Sequence, residues 1–135
     1  MEQGHDTAFV LSTRGVAYLE IGELQQGLAD IDRALQVEPG FASAYDRRGY
    51  AYFLLGDNTR AEDDFGRAVE LVATMTEQER AELHYHRALL FQRQGKPGAA
   101  LAEIDEAVNR VEVPNVRRAI EEVQAELAGA GVVSD

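Results

Sequence analysis

The chain has 135 residues, 45% hydrophobic and 27% charged, a balance that suits one folded domain and excludes a disordered one. Its formal net charge of −11 argues against phosphate-backbone and anionic-membrane partners, because both need clustered Lys and Arg. It has no cysteine, so neither a disulfide framework nor thiol chemistry is available.

Alanine, leucine, glutamate and arginine are frequent, and this favours helix over strand. The opening residues Met1–Asp6 are polar and acidic, without the basic and apolar regions of a secretory signal. No run approaches the roughly 20 apolar residues that span a bilayer. The expectation is a cytoplasmic protein with a basic or largely apolar partner.

In chain order, a first helix is expected over Thr7–Ile21 and a second over Leu24–Val37, where Pro39-Gly40 breaks the chain. A third runs over Ala42–Leu55 and is turned by Gly56-Asp57. Asn58 is the expected N-cap of a fourth, which continues to Thr74. Thr76-Glu-Gln-Glu79 reads as a capping box that starts a fifth helix. Gly95-Lys96-Pro97 is a turn, with Pro97 opening a sixth helix that reaches Val111. A final helix over 115–128 places Val116, Ile120, Val123 and Leu127 on one apolar stripe, and 129–135 is expected to be a loose tail.

The helices repeat. A shift of 34 residues takes Gly15 to Gly49, Tyr18 to Tyr52, Gly22 to Gly56, Gly27 to Ala61, Ile31 to Phe65 and Ala34 to Ala68. A further shift of 39 takes the same series to Ala88, Phe91, Gly95, Ala100, Ile104 and Ala107. The five extra residues fall within Ala73–Arg80.

A period of 34 with small, aromatic, Gly, Ala, bulky and Ala positions resembles the tetratricopeptide repeat. The copies are 8–41, 42–75 and 81–114, about three quarters of the chain. The usual Trp is replaced by Leu11, Tyr45 and His84, and the closing proline stands in place only as Pro39. The resemblance implies an all-α fold: a right-handed superhelical solenoid of three antiparallel helix pairs, A and B, with 115–128 as a C-terminal capping helix on a single domain.

One pairing recurs in every copy. Arg14, Arg48 and Arg87 precede the small residue of helix A, and Asp30, Asp64 and Glu103 follow 16 residues later on helix B. In an antiparallel hairpin each arginine is expected to reach its own acid, an ion pair that sets register more than net stability.

The resemblance also implies a concave groove lined by the second face of each A helix, where partners bind. The groove positions are Phe9, Ser12, Val16 and Leu19, then Asp46, Tyr50, Phe53 and Leu54, then Tyr85, Leu89 and Arg93. Such an apolar strip suits a helix or extended peptide of another protein. Relatives that clamp the C-terminal carboxylate of heat-shock chaperones use Lys and Asn at positions held here by Ser12, Val16 and Tyr50, so that activity is not expected.

Other chemistry is not legible. His84 and His86 lie about 200° apart on a helix and cannot share a metal. Glu82 with His86 supplies two ligands only. Asp63-Asp64 and Asp30 with Asp32 lack the ligand order of a calcium loop. No phosphate-cradling loop or nucleophile–base arrangement is present, so neither an enzyme nor a cofactor is expected. The reading is an adaptor that binds a protein or peptide, the alternatives being a small acidic chaperone or carrier for exported or assembling clients, and a self-assembling homo-oligomer unit.

Overall fold

Glycine sets the ends of three helices in the same way. Gly22, Gly56 and Gly95 have φ of 86°, 83° and 74°, the left-handed region that a Cβ disfavours. The following amides reach back five residues, Glu23 to the Tyr18 carbonyl, Asp57 to Tyr52 and Lys96 to Phe91, each at 2.9 Å. These bonds satisfy carbonyls that a helix end leaves unpaired.

The computed structural model describes residues 2–110 and 114–129. The helices are α1 (Glu2–Glu20), α2 (Leu24–Val37), α3 (Ala42–Leu54), α4 (Asn58–Glu70), α5 (Glu77–Arg93), α6 (Pro97–Arg110) and α7 (Pro114–Gly129). A single 3-10 turn, Val72–Thr74, follows α4. Among the described residues there is no strand, and the fold is all-α.

The backbone divides after Thr74 into two compact units, α1–α4 and α5–α7. In the first, α1 packs on α2, α2 on α3, and α3 on α4. Its core holds Ala8, Leu11, Ile31, Ala34, Leu35, Phe41, Ala44 and Ala51. Gly15 and Gly27 let α1 and α2 approach until a Cβ on Gly15 would stand 2.9 Å from the Gly27 carbonyl oxygen. In the second unit, α5 packs on α6, and Ala81, Ala88, Ala100, Ile104, Ala107 and Val123 form the core. The alanines are the small repeat positions, so helices meet where side chains are shortest.

Several boundaries differ from expectation. Helix α1 starts at Glu2 rather than Thr7. Its added turn is tied down by His5, whose Nδ1 lies 2.8 Å from a Glu38 carboxylate oxygen and whose ring meets Phe41 edge-on at 5.6 Å. The N-cap of α4 is Asp57, not Asn58, because the Asp57 carboxylate accepts from the Arg60 amide at 3.0 Å. Helix α4 stops at Glu70, and the 3-10 turn is closed by Thr74 Oγ1 donating to the Leu71 carbonyl at 2.8 Å. Helix α7 includes Gly129.

The capping box is present: the Glu79 amide donates to Thr76 Oγ1 at 3.1 Å, and the Thr76 amide to Glu79 Oε1 at 2.7 Å. Of the apolar stripe expected on the last helix, Val123 is buried, whereas the side chains of Val116, Ile120 and Leu127 lie outside the described residues. So do Val111, the expected end of the sixth helix, and residues 130–135 of the expected tail.

Candidate functional site

The repeated arginines and acids meet within each hairpin. Arg14 Nε donates to Asp30 Oδ2 at 2.6 Å and Nη2 to Oδ1 at 2.8 Å. Arg48 does the same to Asp64, at 2.7 and 2.9 Å. Arg87 Nη1 lies 2.8 Å from Glu103 Oε1. Each guanidinium also covers an aromatic ring, Arg14 over Tyr18 at 5.9 Å, and Arg48 over Tyr45 and Arg87 over Phe91 at 5.6 Å.

These contacts shift protons. The Arg14 hydrogen bonds hold Asp30 below the usual carboxylate range, against the opposing effect of its burial. Arg48 is pushed further above its ordinary value, first by its hydrogen bonds to Asp64. Arg48 also donates from Nη1 to Asp32 Oδ1 at 3.1 Å, which links α3 to α2 of the preceding repeat. Asp64 takes a second cation, Arg67 Nη1, at 2.9 Å.

In the second unit, His84 stands where the other copies have Leu11 and Tyr45. Its Nδ1 lies 2.6 Å from Glu103 Oε2. A carboxylate only accepts, so Nδ1 is the donor. Glu103 is thereby shared by His84 and Arg87, and these arginines and acids are occupied in holding hairpins together.

In the first unit the residues expected to line the groove stand on α1 and α3. Phe9 is 52% exposed and Leu54 38%. Val16, Tyr50 and Phe53 are half-buried, and the Tyr50 and Phe53 rings stack at 6.2 Å with 13° between their planes. Tyr50 packs against the core, and its phenol is pushed up by burial first and by the Glu20 charge second.

Three expected groove residues offer no surface there. Ser12 is fully buried, and Arg47 on α3 donates to its hydroxyl at 2.6 Å. Leu19 points at α2 instead, where its Cδ2 would be 2.7 Å from a Cβ on Gly27, and it belongs to the core. Asp46 is 2% exposed. Helical periodicity marks a face, but a neighbouring helix covers part of it.

The remaining groove residues belong to the second unit. Tyr85 and Leu89 are half-buried against its core, and Arg93 is exposed near the end of α5. The contacts made by Arg47, Glu20, Asp32 and His84 are not legible in the sequence. For Arg47 and Asp32 the reason is that their contacts join different repeats, and no spacing within one repeat signals them.

Among the described residues no group of three or more His, Asp or Glu could hold a metal ion. Among them, too, no helix is long and apolar enough to cross a membrane.

Small residues at the crossing points, left-handed glycines at the turns and an arginine–acid pair in each hairpin define an all-helical repeat protein. Residues 42–71 match the tetratricopeptide repeat family, and the fold is that of solved tetratricopeptide-repeat domains. It is 34% identical over 108 residues to human tetratricopeptide repeat protein 36, covering 80% of this chain and 56% of the relative. It is 27% identical over 101 residues to heat shock protein STI1 of Saccharomyces cerevisiae, covering 75% of this chain and 17% of the relative. The chain therefore spans about half or less of the curated relatives it matches. The first TPR of Spaghetti (RPAP3), bound to HSP90 peptide SRMEEVD, superposes with a TM-score of 0.69 at 18% identity, covering 92% of this chain and 95% of that one.

Proposed function

We propose that this chain is a non-enzymatic interaction module that binds a peptide or helix of a partner protein on the α1–α3 face. The observation that carries the reading is the stacked Tyr50–Phe53 pair, half-exposed, with exposed Phe9 and Leu54 on the same two helices. Large apolar side chains on a rigid helical wall are the anchors that peptide grooves use. The wall is ordered by its own repeat, so little entropy is lost on its side when a ligand docks.

A structure of this fold with a bound peptide, that of Spaghetti (RPAP3), supports the mode of binding. The ligand class differs. Ser12 and Val16 bring no charge to the face, Ser12 is buried, and Tyr50 is apolar over most of its surface. An acidic C-terminal peptide such as SRMEEVD is a poor match for a chain of net charge −11.

The test is an array of capped dodecapeptides, with SRMEEVD as the acidic control, probed with wild type, Phe9→Asp and Tyr50→Asp. Phe9 is exposed, so its replacement leaves folding intact and keeps the test readable if Tyr50→Asp unfolds. Wild type binds a defined set and both variants lose it. Unchanged binding by both would remove the α1–α3 face from consideration.

A further inference from the structure

We propose that the C-terminal ends of α1 and α3 seat a Lys or Arg side chain of the partner peptide, between the Glu20 carboxylate and the Tyr50–Phe53 aromatic pair. This rests on the peptide-binding reading above and adds the chemistry of the ligand.

The register places these groups together. Arg47 on α3 bonds Ser12 on α1. Further along both helices, the Glu20 charge acts on the Tyr50 phenol. Gly15 meets Ile31 while Leu19 meets Gly27, so α1 runs antiparallel to α2, and α3 returns along α2 after a short turn, so α1 and α3 run parallel and finish at the same end, at Glu20 and Leu54. Two helix C-termini then add their partial negative charges at one place, where a cation is stabilised.

Glu20 is exposed and forms no ion pair among the described residues. The other acids singled out above are committed: Asp30, Asp64 and Glu103 each hold an arginine, and Asp32 takes Arg48. Arg47, the cation of this face, is turned to Ser12 at the other end of the strip.

The aromatic pair supplies the second half. The Tyr50 and Phe53 rings lie nearly parallel in their stack, and a cation near such ring faces is attracted by the π-electrons. Exposed Leu54 beside them gives the alkyl stem of a Lys or Arg an apolar surface to lie on. The net charge of −11 favours a basic segment over a second copy of this chain, which would bring the same charge to the contact.

The experiment uses capped dodecapeptides with one Leu or Phe anchor and Lys, Arg, Gln or Glu at each other position, arrayed in turn. They are probed with the full chain as wild type, Glu20→Gln, Glu20→Lys and Phe9→Asp. Wild type prefers Lys and Arg at one offset from the anchor by about three- to tenfold, the range of an ion pair with a cation–π contact at a surface. Glu20→Gln removes that preference while the anchor still binds, and Glu20→Lys transfers it to Glu. Equal binding of Lys, Gln and Glu peptides by wild type, lost in Phe9→Asp, would overturn the cation seat and leave the groove standing. No binding of any peptide would overturn both. A wild-type dimer in sedimentation that Phe9→Asp dissolves would assign the face to a second copy and overturn the proposal.

Discussion

Arg48 and Asp64 are joined side by side, Nε to Oδ2 at 2.7 Å and Nη2 to Oδ1 at 2.9 Å, with the Asp64 side chain only 1% exposed. Removing the arginine leaves a carboxylate buried with Arg67 as its remaining partner. Arg48→Ala is expected to cost about 2–3 kcal/mol, under the roughly 3–5 kcal/mol of breaking a wholly buried pair, because Arg67 stays. The double variant Arg48→Met/Asp64→Leu, which removes both charges, recovers most of that. Urea unfolding followed by circular dichroism measures both. A double variant no better than the single would mean that the pair stabilises through packing rather than charge.

Asp30 gives a pH dependence of known sign. Its folded pKa is depressed by the hydrogen bonds from Arg14. An acid depressed on folding contributes stability that is present above the unfolded value of about 3.9 and is lost as the pH falls through the folded value. The difference in urea midpoint between wild type and Asp30→Asn should therefore be level near neutrality and shrink below about pH 4. A difference that grows on acidification would contradict the assignment.

The hairpins are the most legible part of the chain. A spacing of 16 puts Arg14 opposite Asp30 because helix A, a short turn and helix B return the chain over itself. A glycine after each A helix marks where the chain must take a left-handed residue. Depth is less legible. Ser12 and Asp46 are expected on the open groove face, yet both are buried, and for Ser12 the cover comes from another helix, through Arg47 of α3. The Arg48–Asp32 and His84–Glu103 contacts are hidden for a related reason: repeat comparison finds what the copies share, and these occur in one copy each.

Two glycines give opposite outcomes on replacement by alanine. At Gly15 a Cβ would stand 2.7 Å from Ile31 Cγ1 and 2.9 Å from the Gly27 carbonyl oxygen. The second neighbour is backbone, so α1 and α2 must separate. Gly15→Ala should destabilise by about 1–3 kcal/mol, as overpacked cores do. At Gly66, exposed within α4, a Cβ would meet nothing within 4 Å. There alanine should stabilise by about 0.5–1 kcal/mol, because it restricts the unfolded chain and suits a helix. Thermal melts of the two variants beside wild type decide both signs.

The corner formed by Glu20 and Tyr50 can be tested without any ligand. Burial is the larger cause of the raised Tyr50 pKa and the Glu20 charge the smaller. Both disfavour phenolate, the first by desolvation and the second by like-charge repulsion. Phenolate absorbance, with a Tyr50→Phe titration subtracted, should give a midpoint above the ordinary value of about 10. Glu20→Gln should bring it down, though not fully, because the burial remains. For an acid raised on folding, stability is present below the unfolded pKa and is lost as the pH rises through the folded one. The loss of stability in alkali should therefore be smaller in Tyr50→Phe, which cannot ionise. A Tyr50 midpoint untouched by Glu20→Gln would place the carboxylate away from the ring, and the proposed seat for a Lys or Arg would lose its acid.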